Sequence, residues 1–362
     1  MRMKGLRDIG ARAIGPLFLV KKRFPLATYI AGRILTMAVM LFALGLAVFA
    51  LMDLAPGDIV DRMMTQQLMQ AEGAKATQGE RILGTEQLAA TRETLGLDKP
   101  FYVQYFRWLN RVFVHHDLGT SLISKAPVLF LIGSRLANSV LLNLVSLVLI
   151  TAFSFALGVW FSSKAGTATD LAATFIALAL HAFPGILLLI LLQLFASATG
   201  LFPVTAYPPF PFAENPGRFA FSYMHHVFLP LLAAFLGGVG GTMRMIRATM
   251  LDQLGQPYVT SLRSRGVREF RVYFHHAFRN TLNPYITGSA NLLAGLFSGS
   301  LVLEIIFAYP GVGRLMYEAV LQEDVNLVLA NIMFVSFLVL VGMVLADITL
   351  ALVDPRIRYG KE

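Results

Sequence analysis

The sequence has no cysteine, only two tryptophans and few charges. Without cysteine, neither a disulfide framework nor a thiolate metal site is available. Charged residues make up 14% of the 362, and they cluster. Soluble globular chains carry about a quarter. No G-x-x-x-x-G-K-[ST] run is present, so the chain cannot cradle nucleotide phosphates as a P-loop ATPase does. An H-E-x-x-H pair is also missing. The histidines His115-His116, His225-His226 and His275-His276 come as adjacent pairs. Neighbours on a helix point in different directions, so these pairs do not converge on one metal. No serine or aspartate marks a nucleophile elbow. The reading is therefore not an enzyme, with no cofactor held by the chain itself.

What is abundant is apolar surface, at 56% of residues. Six segments are apolar and long enough to cross a bilayer, which takes about 20 residues each. They lie near 34–52, 136–161, 171–198, 227–250, 285–303 and 327–353. In lipid each must satisfy its own backbone hydrogen bonds, so each is expected as a helix. The first is too long for a signal-peptide core, and no convincing cleavage site follows it. The expected fold is an all-α integral membrane protein with about six spans.

The net charge of +9 does not point to nucleic acid, because the positive charge flanks the spans. Basic residues crowd the stretch before the first span, the stretch from Arg244 to Arg279, and the C-terminal tail. Placing these inside puts both termini in the cytoplasm. The long loop 53–135 is balanced in charge and does not oppose this. Organisation then reads as a basic segment 1–33, a first span 34–52, an external loop 53–135, a transmembrane core 136–353 containing a loop 251–284, and a tail 354–362. The N-terminal segment alternates basic and apolar residues, either as an amphipathic helix on the anionic inner leaflet or as a tail that enforces topology. In the external loop, residues 66–85 are polar and poor in aromatics, as in a mobile or loosely helical excursion. Further on, Phe101, Tyr102, Tyr105, Phe106, Trp108 and Phe113 recur at helical and near-helical spacing, which suits a surface helix with an aromatic face down, with direct substrate contact as the competing role.

The most informative stretch is 258–284, a basic, helically patterned loop between two apolar runs. It carries Arg263, Arg265, Arg268, Arg271 and Arg279 against Glu269, and Gly266 breaks it into two helical pieces. The loop resembles the cytoplasmic coupling loop of ABC importer permeases of the oligopeptide/dipeptide family, with His276-Ala277-Phe278-Arg279-Asn280-Thr281-Leu282-Asn283-Pro284 after the signature glycine. Other motifs of the family's B-type subunit follow in order. They are Pro56-Gly57-Asp58, Leu95-Gly96-Leu97-Asp98-Lys99-Pro100, Tyr105-Phe106-Arg107-Trp108-Leu109, Asp117-Leu118-Gly119-Thr120-Ser121 and Pro127-Val128 through Arg135-Leu136. The last third adds Glu304, Phe307, Pro310-Gly311-Val312-Gly313-Arg314-Leu315 and Asp354-Pro355-Arg356-Ile357-Arg358. His116 departs from the family's usual glycine, and Leu262 is bulkier than the usual alanine.

The resemblance implies a type I ABC importer permease fold with a cytoplasmic coupling helix, in the cell inner membrane. It implies a pathway shared with a second, C-type permease subunit, in a heterodimer. Two cytoplasmic ATP-binding subunits would hold ATP and Mg, and an extracytoplasmic solute-binding protein would deliver the solute, peptides first. Oligosaccharides or metal chelates are the alternative cargo. Tyr258, Leu262, Arg263, Arg265, Gly266 and Arg268 would contact the ATPase, with topology enforcement as the competing role for the arginines. A bulky residue at Gly266 is expected to clash or stiffen the joint. Pro310, Gly311, Val312 and Gly313 are expected to fold back as a scoop at the outer mouth, touching the binding protein or partner permease. Asn138 and Asn143 enter the second span. Asn291, Ser298 and Asp347 are polar within spans and are pathway candidates, with helix–helix hydrogen bonding as the competing role. A secondary transporter would need more ionisable residues in the membrane, often with internal repeats, and a membrane enzyme would need convergent catalytic groups.

Overall fold

The computed structural model describes residues 25–54, 99–121, 123–282, 285, 295–297, 300–322 and 324–353. The N-terminal basic segment, the excursion 66–85, Pro56-Gly57-Asp58, Asn291, Ser298 and the C-terminal tail lie outside them. The described residues are helical and irregular, with one isolated antiparallel bridge between Thr120 and Pro127. Among the described residues four helices are long and apolar enough to cross a membrane: α1 (Pro25–Leu54), α3 (Val128–Ser162), α6 (Pro216–Leu254) and α12 (Val325–Val353). Between α3 and α6 come α4 (Ala168–Ala182) and α5 (Gly185–Thr199), bent by 91° to one another. The expected third span is thus broken at Phe183-Pro184, because proline has no N–H to continue a helix. Most of the expected fifth span, 285–303, falls outside the described residues.

The chain forms two compact units, one of Met1–Ile132 with Glu318–Glu362 and one of Gly133–Tyr317. In the first unit α2 (Phe101–His115) packs on α1 through Tyr105. A Cβ at Gly45 would sit 2.6 Å from the Tyr105 ring, so only glycine admits this contact. The Tyr105 hydroxyl donates to the Phe42 carbonyl at 3.1 Å. The aromatic series therefore divides: Tyr105 is buried, while Tyr102, Phe106 and Phe113 stay exposed.

The D-L-G-T-S run has a structural job in the same unit. Gly119 takes a left-handed φ of 90°, its N–H donates to Asp117, and its carbonyl accepts from Val128. Ser121 then donates to buried Asp324, whose other oxygen caps the start of α12 at Leu327 N–H. His116, the departure from the family's glycine, caps α2 at a positive φ of 51°. Glycine is the residue that takes this position without strain.

In the second unit α6 is the central helix. Gly240 packs on the Ala177 backbone of α4, and Gly238 packs on Ile150 of α3. Gly158 of α3 packs in turn on Ile246. Asp170, at the N-terminal end of α4, holds Arg247 of α6 through two hydrogen bonds of 2.5 and 2.6 Å. Such a bidentate carboxylate–guanidinium pair fixes both distance and orientation.

Candidate functional site: a basic hairpin and a glutamate elbow

Two constructions stand on α3, some twenty residues apart. At 1.5 Å per residue their separation along the helix is about 30 Å, close to the hydrocarbon thickness of a bilayer.

The first is the basic hairpin. After α6, α7 (Pro257–Ser264) begins with proline in its first turn, where the missing N–H costs nothing. Gly266 then turns the chain at φ 74°. Its N–H and that of Val267 close on the carbonyls of Arg263 and Leu262. The return limb is α8 (Glu269–Arg271), a π-helical turn Val272–Ala277 and α9 (Phe278–Thr281). π-Helical turns recur at functional sites. Val259, Val272 and Ala277 are fully buried, and Ala277 packs with Val159, Ile246 and Met250, which fastens the hairpin to α3 and α6. Tyr258 donates to Gln253 at 3.1 Å and accepts from Asn280 at 3.3 Å, tying α7 to both neighbours.

The arginines do not behave alike. Arg263 forks onto Glu269 across the turn at 2.9 and 3.1 Å. Hydrogen bonding to that carboxylate raises its pKa further, so it stays charged. Arg265 and Arg268 are exposed and make no such pair among the described residues. Phe270, 74% exposed, stacks on Phe274 at 4.6 Å beside them. Leu262 is half-buried. A Cβ at Gly266 would meet nothing within 4 Å. The expected clash there is absent, and the requirement for glycine comes from its positive φ alone.

The second construction is the elbow between α10 (Leu301–Ile306) and α11 (Val312–Leu321). Glu304 is fully buried. Its Oε1 accepts from Ser139 Oγ of α3 at 2.8 Å and from Ser300 N–H at 3.3 Å; its Oε2 accepts from Arg314 N–H at 2.9 Å. Ser139 Oγ in turn accepts from Val312 N–H at 2.8 Å. A Cβ at Gly311 would fall on the Glu304 carboxyl, and one at Gly313 would sit 3.0 Å from its Oε2. The two glycines thus let the backbone close around a buried carboxyl.

Asn138 extends this grip, donating to Pro310 O at 3.0 Å while its carbonyl accepts from the Tyr309 hydroxyl at 2.8 Å. Burial pushes the Tyr309 phenol well above its ordinary range, so it remains a donor. Asn143, one turn on, contacts the carbonyl of Leu296 at 3.1 Å and accepts from Ser300 at 3.2 Å.

The sequence reading placed Gly311, Val312 and Gly313 on a surface offered to partners, but all three are buried against this chain's own Glu304 and Ser139. Pro310 is half-buried, and helix begins at Val312. Glu304 and Ser139 were not singled out as site residues. The signal was the spacing in E-x-x-F-x-x-P-G-x-G, which sets a carboxyl and two glycines a short turn apart. Asp347 lies within α12. Neither construction gathers the groups of a catalytic centre; both fix backbone geometry.

Comparison with known proteins agrees with this arrangement of membrane helices. Residues 129–359 match the family of binding-protein-dependent transport system inner membrane components, and residues 26–141 match the N-terminal part of such membrane components. The chain belongs to this family. It is an inner membrane permease of the ABC importer kind, with the type I permease fold. It is similar to the oligopeptide transport system permease protein AppB of Bacillus subtilis, at 34% identity over 336 residues, covering 92% of this chain and all of that one. A putative peptide transport system permease of Brucella abortus (strain 2308) is 35% identical over 312 residues, covering 86% of this chain and 92% of the other. The dipeptide transport system permease protein DppB of Escherichia coli is 28% identical over 335 residues, covering 87% and 94%.

Proposed function

We propose that the permease forms one half of the pathway of an ATP-driven, binding-protein-dependent peptide importer, and that its basic hairpin is the grip for an ATP-binding subunit. The observation that carries this reading is the hairpin itself. Arg263–Glu269 holds its shape, buried Val259, Val272 and Ala277 fix it to the long helices, and Arg265, Arg268, Phe270 and Phe274 are left exposed. An exposed aromatic pair beside exposed guanidinium groups suits an acidic, partly apolar groove. A partner that moves the hairpin pulls on α3 and α6 together, as a rigid-body switch requires.

In this reading two cytoplasmic ATP-binding subunits hold ATP and Mg. A homologous C-type permease supplies the other half of the pathway, and an extracytoplasmic binding protein delivers the solute. Both termini lie in the cytoplasm, so the Glu304 elbow lies toward the outside. Peptides are the cargo favoured by the names of the relatives. The test is to co-express the chain with its neighbouring permease and ATPase genes, purify by a tag on this chain, and reconstitute. A four-subunit core that takes up peptide only with ATP and binding protein is expected. Uptake by this chain without ATP, or a functional complex built from two copies of it, would overturn the reading.

A further inference from the structure

The break between α4 and α5 occurs at membrane depth. Asp170 pairs with Arg247 near one end of α6, and His225 Nε2 meets Leu201 O near the other. These marks are about 33 Å apart along α6 at 1.5 Å per residue, which matches a bilayer core. Between them Ala177 and His181 lie against Gly240 and Gly241. Phe183 is about 20 Å from Asp170 along α4, which runs beside α6 through Ala177 and His181. The break is therefore well inside the apolar layer.

At that depth several backbone groups have no partner among the described residues. Among the described residues no hydrogen bond reaches the carbonyls of Leu180, His181, Ala182 or Phe183. The N–H groups of Gly185, Ile186 and Leu187 likewise find no acceptor. The His181 ring packs near Gly241 and makes no hydrogen bond among the described residues. Every residue from His181 to Leu187 is exposed. Lipid does not tolerate this, because each unpaired backbone group in hydrocarbon costs several kcal/mol. A helix of a second subunit has its own backbone groups paired and offers only side chains, which reach few of these groups at once. Water would satisfy them.

We propose that residues 181–187 line the water-filled translocation pathway and present hydrogen-bond acceptors to the solute in transit. Extended peptides are the matching chemical class, because their amide N–H groups can meet carbonyls regardless of side chain. The inference rests on the reading that this chain forms half of an import pathway.

The chain has no native cysteine, so single cysteines report directly. A Cβ at Gly185 meets nothing within 4 Å, so Gly185→Cys should assemble; Ala182→Cys is the second reporter. Val148→Cys, on the exposed face of unbroken α3 near Ile150, is the control at similar depth. In the reconstituted complex a charged, water-soluble methanethiosulfonate should label Gly185→Cys and Ala182→Cys about tenfold faster than Val148→Cys, because only the former face water. Trialanine should slow that labelling. Equal, slow labelling at all three positions would overturn the pathway surface, and fast labelling unaffected by trialanine would overturn the peptide match. Neither result depends on ATP-driven uptake, so failure of the importer reading remains separately visible.

Discussion

The two ends of α3 handle charge in opposite ways. At the elbow, one carboxyl is fully buried and its hydrogen bonds come from a serine and backbone N–H groups that two glycines let close around it. At the hairpin, one arginine is used internally and the others stay in solvent. The elbow spends its polar groups on holding this chain in shape. The hairpin leaves its polar groups available to another molecule. Substituting buried, satisfied groups costs stability; substituting exposed groups leaves stability nearly unchanged and bears on binding in the proposed grip.

Substitution should separate the ends accordingly. The largest effect is expected for Gly311→Val, which drives a branched side chain into the Glu304 carboxyl. Overpacking typically costs about 1–3 kcal/mol and here adds loss of the hydrogen bonds, so the purified permease should melt much earlier or fail to accumulate. Normal melting would contradict the elbow.

Glu304→Ala comes next. It removes the acceptor for Ser139, Ser300 N–H and Arg314 N–H, at about 1–3 kcal/mol for each buried hydrogen bond lost. Gly311→Ala should also cost less in a Glu304→Ala background than alone, because the clash partner is gone. Additive losses in that double-mutant cycle would show that the two residues do not meet.

At the hairpin, Arg265→Ala with Arg268→Ala should leave the melting temperature nearly unchanged, as surface substitutions stay within about 0.5 kcal/mol. The same pair should weaken capture of the ATP-binding subunits, read by co-purification at rising salt. Arg263→Ala should weaken capture less, since its guanidinium faces Glu269 and an exposed pair of this kind steadies the turn by only about 0–1 kcal/mol. A larger loss from Arg263 than from Arg265 and Arg268 together would reverse the assignment.

Much of this was legible in the sequence. Apolar run lengths gave α1, α3, α6 and α12, because a bilayer imposes a minimum apolar length on every span. The hairpin followed from Gly266 between two basic, helically spaced pieces. The break at Phe183-Pro184-Gly185 was hidden by composition: the window stays apolar across it, although Pro184 is itself the punctuation. Glu304 was read as one letter of a motif because burial of a carboxyl depends on Ser139, 165 residues away. No local pattern reports a partner at that separation. Likewise, the pairing of Arg263 with Glu269 depends on the turn geometry at Gly266, so equal arginines in sequence became unequal in space.

The central claim is that the hairpin transmits work from an ATPase to the membrane helices. The most direct test is Gly266→Val in the reconstituted complex, with ATP hydrolysis and peptide uptake measured in the same vesicles. A β-branched residue is strained at φ 74° even with open space around it. The spans should stay folded and the complex assembled, with ATP hydrolysis retained while uptake falls by about tenfold or more. Uptake per ATP equal to that of the unaltered chain would contradict the account.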